Sequence, residues 1–306
     1  MPANQARFLL LLDQIGLPHE DKKQLHGAAL EIIGLVIDLK DMSISMSSEA
    51  KQNLIKSIHD FILNTPVNKC QQPLQAWLRM LGYTNWALNA FPILKPTLNL
   101  SYDKISGKVA LSQGVYLNKS VHEDLLWFAH SLKHLDGVQL FEVEEWSANE
   151  ADLEVWSDAS KDGLGFWAPK YLSAFFGDPV LHDELSFNIF FNEAIAILVA
   201  IHWSASLHPP SHQLVIHTDS SNSFNIFNSL HASNPYNSML MSAASIQINH
   251  GIDLQVFFIE GKQNMIADTL SHHLFDLICK LVPDVSIHHF MPLSSPAMLV
   301  MGAHLQ

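Results

Sequence analysis

Arginine is almost missing from this chain. Only Arg7 and Arg79 occur among 17 basic residues, which face 30 acidic ones and leave a net charge of -13. Phosphate-backbone binding draws on a field of Lys and Arg. That balance excludes strong duplex binding unless another chain or domain supplies the grip. Cysteine is equally scarce. Cys70 and Cys279 stand far apart in no zinc or disulfide pattern, which points to a reducing, intracellular setting, cytoplasmic or nuclear. The apolar run Phe8 to Leu12 is too short to cross a bilayer and has no basic n-region before it, so no membrane partner is expected. Walker loops, Gly-rich dinucleotide turns, HExxH and Ser-His-Asp arrangements are absent, as are internal repeats and low-complexity tracts.

What is present is acid in particular places. The apolar run Leu153–Ser157 ends at Asp158, and Leu214–Thr218 ends at Asp219. If those two strands are neighbours, both carboxylates emerge at one sheet edge. Glu193 falls one to two turns into an apolar helix expected over Asn188 to Leu207, and Asp268 in the first turn of a helix expected from about Asn264 to Lys280. Four convergent carboxylates suit two Mg²⁺ ions, or Mn²⁺, about 4 Å apart, the arrangement used in phosphodiester hydrolysis. Each acid alone also reads as an ordinary turn or cap residue. Glu193 is harder to dismiss, because Phe190, Phe191, Ala194 and Ile195 around it are apolar and a buried carboxylate needs a partner. Ser160, Ser220, Asn222 and His272 are auxiliary candidates, as hydrogen-bond donors, substrate contact or proton carrier. Trp167 is the best-placed tryptophan for stacking, the others being expected core anchors. Between residues 151 and 272, twelve acids face Lys161, Lys170 and Lys262 alone.

The remaining pattern divides the chain. Residues 1–110 combine a helix near Gln5–Ile15, a strand over Leu30–Asp38 pairing with Asp41–Met46, a helix entered at Ser47-Ser48-Glu49, another over Leu74–Ala90, and an extended Phe91–Pro96. Residues 111–150 read as a helical connector, with a helix over Ser120–Leu135. Residues 151–275 read β-β-β-α-β-α-α-β-α, an α/β unit with a mixed sheet. For residues 276–306, a C-terminal tail, the pattern supports no element beyond the end of the last helix.

Residues 152–272 resemble the ribonuclease H domain of retroelement polyproteins, of long-terminal-repeat and tyrosine-recombinase type. The matching stretches are Trp156-Ser157-Asp158-Ala159-Ser160 with Gly163, Gly165 and Trp167; Asn192-Glu193-Ala194; His217-Thr218-Asp219-Ser220 with Asn222; and Gly261, Asn264, Ala267-Asp268 and Leu270-Ser271. The resemblance implies an RNase H-like five-stranded mixed sheet flanked by helices. It also implies Mg²⁺-dependent cutting of the RNA strand of an RNA–DNA hybrid by Asp158, Glu193, Asp219 and Asp268. Upstream, Ile33-Gly34-Leu35-Val36-Ile37-Asp38 with Ile44-Ser45-Met46, and Trp77-Leu78-Arg79-Met80-Leu81-Gly82 with Asn85-Trp86, resemble the palm end, thumb and connection of a reverse transcriptase. No Tyr-x-Asp-Asp-like motif accompanies them, so polymerisation is not expected here, and a separate polymerase domain or protein is an implied partner. The segment Glu260 to Ala267 lacks the histidine that many relatives carry before the last helix. That departure, with the scarcity of cations, leaves a second reading open: a catalytically inactive remnant or interaction module.

Overall fold

The computed structural model describes residues 2–20, 24–63, 71–139, 146, 148–180, 188–209 and 211–291. Cys70 and residues 292–306 lie outside the described residues. The chain opens with helix α1 (Ala3–Gln14), of which only Leu9 is buried. Strands β1 (Ala29–Ile32), β2 (Leu35–Asp38) and β3 (Ser43–Met46) follow. The single strand expected over Leu30–Asp38 is instead a hairpin, pairing Ile32 with Leu35 and Ala29 with Asp38. Its turn places Ile33 (φ 53°) and Gly34 (φ 79°) both in the left-handed region, the two-residue geometry that matches strand twist. Glycine signals such a turn, but a β-branched residue beside it does not.

Helix α2 (Ser48–Leu63) begins where the Ser47 side chain accepts the Ala50 amide, and it buries Leu54, Ile58 and Phe61 along one face. After β4 (Gln71–Pro73) comes α3 (Leu74–Ala87). Residues Pro92–Leu98 form a 3₁₀ helix rather than the extended segment expected. Pro92 sits at its start, where a missing amide costs nothing, and buried Thr97 donates to the Leu94 carbonyl. Then α4 (Asn99–Ile105), β5 (Gly114–Tyr116), α5 (Lys119–His134, capped by the Asn118 side chain) and β6 (Val138–Gln139) complete this half. The strands form an antiparallel sheet in the order β1-β2-β3-β6 and a small β4-β5 pair. Trp77, Phe91 and Phe128 anchor one core between α2, α3, α5 and the 3₁₀ helix.

The second half is an α/β unit on a mixed sheet. Its elements are β7 (Leu153–Ala159), β8 (Leu164–Ala168), β9 (Ser173–Gly177), α6 (Ile189–Ala205), β10 (Gln213–Thr218), α7 (Ser221–Ser229), α8 (Tyr236–His250), β11 (Asp253–Phe258), α9 (Met265–Ser271), α10 (Phe275–Leu281) and β12 (Ser286–His289). The strand order is β11-β10-β7-β8-β9-β12. Strand β10 runs parallel to β7 and β11, β8 antiparallel to β7 and β9, and β12 parallel to β9. Six strands stand where five were expected. The sixth comes from the segment read as lacking any element, because Ser286-Ile287-His288-His289 offers a single β-favouring residue. Helix α6 is buried nearly all round between the sheet and α8, which is why it is apolar on every side.

The continuous helix expected from Asn264 is broken in two. The Leu274 amide donates to Thr269 O and the His273 amide to Leu270 O, with His273 left-handed at φ 57°. This is a Schellman ending with histidine where glycine is usual, so no sequence signal marks it. No helix among the described residues is long and apolar enough to cross a membrane.

Polar contacts, one of them fully buried, join the two halves. Asn99 donates to Asn237 at 2.7 Å, its carbonyl oxygen lies 2.7 Å from His231 Nδ1, and Lys95 donates to Ser229 O. An Asn99→Ala change removes the buried hydrogen bond to Asn237 and the contact with exposed His231, and should cost about 1–3 kcal/mol. A urea titration reads this as a lower midpoint, and an unchanged midpoint would show that water replaces the amide without loss.

Candidate metal centre

Parallel pairing of β7 and β10 sets the site. The register aligns Leu153 with Leu214 and Trp156 with His217, so Asp158, near the end of β7, and Asp219, just past the end of β10, emerge at the same edge. Glu193 approaches from α6, which packs on β7. Oxygen atoms from Asp158, Glu193 and Asp219 lie within 4.8 Å of one another. Asp158 is 5% and Glu193 8% exposed, and Asp219 is half-buried.

Neighbouring groups hold these carboxylates. Ser271 Oγ donates to Asp158 Oδ2 at 2.6 Å, and Asn264 Nδ2 donates to Ser157 O at 2.9 Å and to Asp219 Oδ1 at 3.3 Å. Glu193 Oε2 is buried without a hydrogen-bond partner. Burial pushes the Glu193 carboxyl up to about 9, with the charges of Asp158 and Asp219 acting in the same direction. Burial also raises Asp158 to about 7. The Ser271 hydroxyl opposes that shift, while Asp219 and Asp268 reinforce it. Crowded, desolvated acids with an unsatisfied oxygen are what a divalent cation relieves. A Cβ at Gly261 would stand 3.1 Å from Asp219 Oδ2, so glycine keeps that approach open. The donor set is all oxygen, as Mg²⁺ or Mn²⁺ requires. Asp158, Glu193 and Asp219 could therefore hold a metal ion.

The fourth acid lies apart. Asp268 is on α9 with its side chain 57% exposed, 3.8 Å from His272 Nε2. It is near enough for its charge to raise Asp158, yet outside the three-carboxylate cluster. His272 Nδ1 in turn lies 3.0 Å from Asp162 Oδ2. Ser160 is engaged structurally: its hydroxyl donates to Ser271 O and accepts the Asp162 and Gly163 amides, closing the β7–β8 turn. Ser220 caps α7 by accepting the Ser223 amide. Asn222 is exposed on the first turn of α7. Trp167 is not a free stacking surface; it is buried in a small core with Leu270, Ala174 and Ile278.

Ser271 and Asn264 hold the site's carboxylates, and neither stands out from the sequence as doing so. Both occur within the matched closing stretch, but their partners lie more than a hundred residues upstream, at Asp158 and Ser157, and spacing along the chain does not announce such a bond. Helix α9 comes this close because position 165 carries no side chain. A Cβ there would stand 2.9 Å from the Ala267 carbonyl and 2.6 Å from Leu270 Cβ.

No family model matches the chain, and no curated protein matches it. Among solved structures, ribonuclease H1 from the halophilic archaeon Halobacterium salinarum NRC-1 aligns at 12% identity with a TM-score of 0.30, covering 40% of this chain and 97% of that one. A likeness of that degree fixes neither fold family nor activity.

Both raised carboxyls bind protons more tightly in the folded state than in the unfolded chain. Their contribution to stability is therefore complete below about pH 4 and is lost as pH rises toward about 7 for Asp158 and about 9 for Glu193. In EDTA, the urea midpoint should fall between pH 5 and 9, and Glu193→Gln should flatten the fall by removing a charge that must be buried, gaining about 1–3 kcal/mol at the alkaline end. Millimolar Mn²⁺ at pH 8 should restore the wild-type midpoint and leave the Gln variant less affected. Equal pH profiles for the two proteins would rule out this electrostatic account.

Proposed function

We propose that this chain is a divalent-metal-dependent ribonuclease of the RNase H type, cutting the RNA strand of RNA–DNA hybrids. The observation that carries the reading is the meeting of Asp158, Glu193 and Asp219, from two neighbouring parallel strands and a buried helix, within 4.8 Å. The ordered motif resemblance over residues 152–272 supports it. Bound divalent cations, two of Mg²⁺ or Mn²⁺, would activate water and stabilise charge on the departing oxygen.

The chain's own residues supply the placement. Asp158, fixed through one oxygen by Ser271, and Asp219, fixed by Asn264, present carboxylate oxygens from the sheet edge. Glu193 carries the unpartnered oxygen and would orient the attacking water close to the ribose 2′-hydroxyl, on which discrimination of RNA from DNA would rest. Asp268, on the exposed flank, would complete the second cation site. His272, 3.8 Å from it through Nε2, would assist the proton transfer. Residues 1–110 are read as the palm-end, thumb and connection remnant of a reverse transcriptase, on sequence resemblance. A polymerase domain or protein would then be the natural partner.

The reading of an inactive remnant or interaction module draws on one specific feature, the position of Asp268 outside the cluster while its side chain faces His272. A labelled RNA–DNA hybrid, incubated with Mg²⁺ or Mn²⁺ beside duplex DNA, separates the two. Hydrolysis should be confined to the RNA strand, depend on the metal, and drop at least about 100-fold in Asp158→Asn, as the loss of several kcal/mol of metal-supplied stabilisation requires. Folded protein that leaves the hybrid intact with either metal would instead point to the remnant, or to a domain that works only with its polymerase partner.

A further inference from the structure

The proposed substrate is a polyanion, and the carboxylate cluster has almost no cations beside it. The chain's cations gather elsewhere. Helices α2 and α5 pack against each other and leave a groove of about 870 Å³ along their outer side. Lys51, Lys56 and His59 line it from α2, and His130 and Lys133 from α5. No carboxylate lines it, although Glu49 and Asp60 lie on α2 and Glu123 and Asp124 on α5. Glu123 is engaged by Lys119 at 3.5 Å, and Asp124 is half-buried.

The lysines of the groove differ in mobility. Lys51 is held, its ammonium group donating to the Leu135 carbonyl and lying 5.2 Å above the Phe91 ring. Lys56 and Lys133 are exposed, and among the described residues no carboxylate pairs with either. Ile55, Leu126 and Ala129 give the groove an apolar floor between the charged rims. A fixed cation, two free ones, two imidazoles able to donate hydrogen bonds and no carboxylate in the lining make a local positive field on a chain of net charge -13.

We propose that this α2–α5 groove binds the phosphodiester backbone of nucleic acid. The choice of nucleic acid among polyanions rests on the proposed nuclease function. The groove would contribute affinity without sequence preference, since its donors reach phosphate rather than base edges.

The test uses the full chain and a short fluorescent RNA–DNA hybrid in EDTA, read by anisotropy across a salt series. Wild type should bind at low salt. Lys56→Gln/Lys133→Gln should bind about tenfold more weakly, with a log–log salt slope shallower by about 2, because each neutralised phosphate contributes close to one unit. Lys40→Gln, at an exposed lysine outside the groove, should bind as wild type does. Absence of wild-type binding at low salt, or undiminished binding by the double variant, overturns the proposal. So does equal competition by polyglutamate of the same total charge, which would assign the groove to acidic protein. Binding through the groove without hydrolysis in Mg²⁺ or Mn²⁺ would sustain this proposal while sinking the nuclease reading.

Discussion

The parallel pairing of β7 with β10 is the constraint on which the site depends. A slip of one residue in that register would turn Asp158 and Asp219 to opposite faces of the sheet, and no helix placement could recover their approach. The register is held from both ends. At one end the Asp152 carboxylate accepts the His212 and Gln213 amides, fixing where β10 begins. At the other, Asn264 reaches from the start of α9 to Ser157 O and Asp219 together. Strand β11, the outer neighbour of β10, is itself closed off by Asn228, whose amide exchanges hydrogen bonds with both backbone groups of Val256. That covers part of an otherwise open sheet edge.

Against this frame the acids form a strained set. A carboxylate on the buried helix α6 would be ruinous in an ordinary core, and its tolerance here requires either a proton or a cation. Raised carboxyls at Asp158 and Glu193 are the apo solution; a divalent ion is the alternative, and it lowers the cost of ionising both at neutral pH. The same low dielectric that makes the apo cluster costly would make a bound cation effective.

Much of this was legible from the residues. Strands ending in Ser157-Asp158 and Thr218-Asp219 stand out because short apolar runs stop abruptly at acid. Glu193 is conspicuous because nothing near it is polar except Asn192. The fourth acid was placed on the correct helix, but whether its side chain turns inward is settled by packing, and here it faces His272. The turn at Ile33, the break at His273 and the strand Ser286–His289 escaped notice because each uses a residue that local preference disfavours or leaves neutral, and tertiary contacts override that preference. The cationic groove was also hidden, since Lys56 and Lys133 lie 77 positions apart along the chain and meet only through helix packing.

The bare α-carbon at Gly165 has a consequence for how the site tolerates change. Helix α9 rests on strand β8 backbone to backbone, with the Ala267 carbonyl and the Ser271 amide each 2.9 Å from the place a methyl group would occupy. The helix therefore has no side-chain cushion through which it could settle outward or inward, and interiors this dense transmit displacement instead of absorbing it. Asp268 and Ser271 ride on that helix as one body. An alanine at position 165 would act like a shim under a hinge plate, moving Asp268 and the hydroxyl that steadies Asp158 by the same step while leaving every residue of the cluster chemically intact.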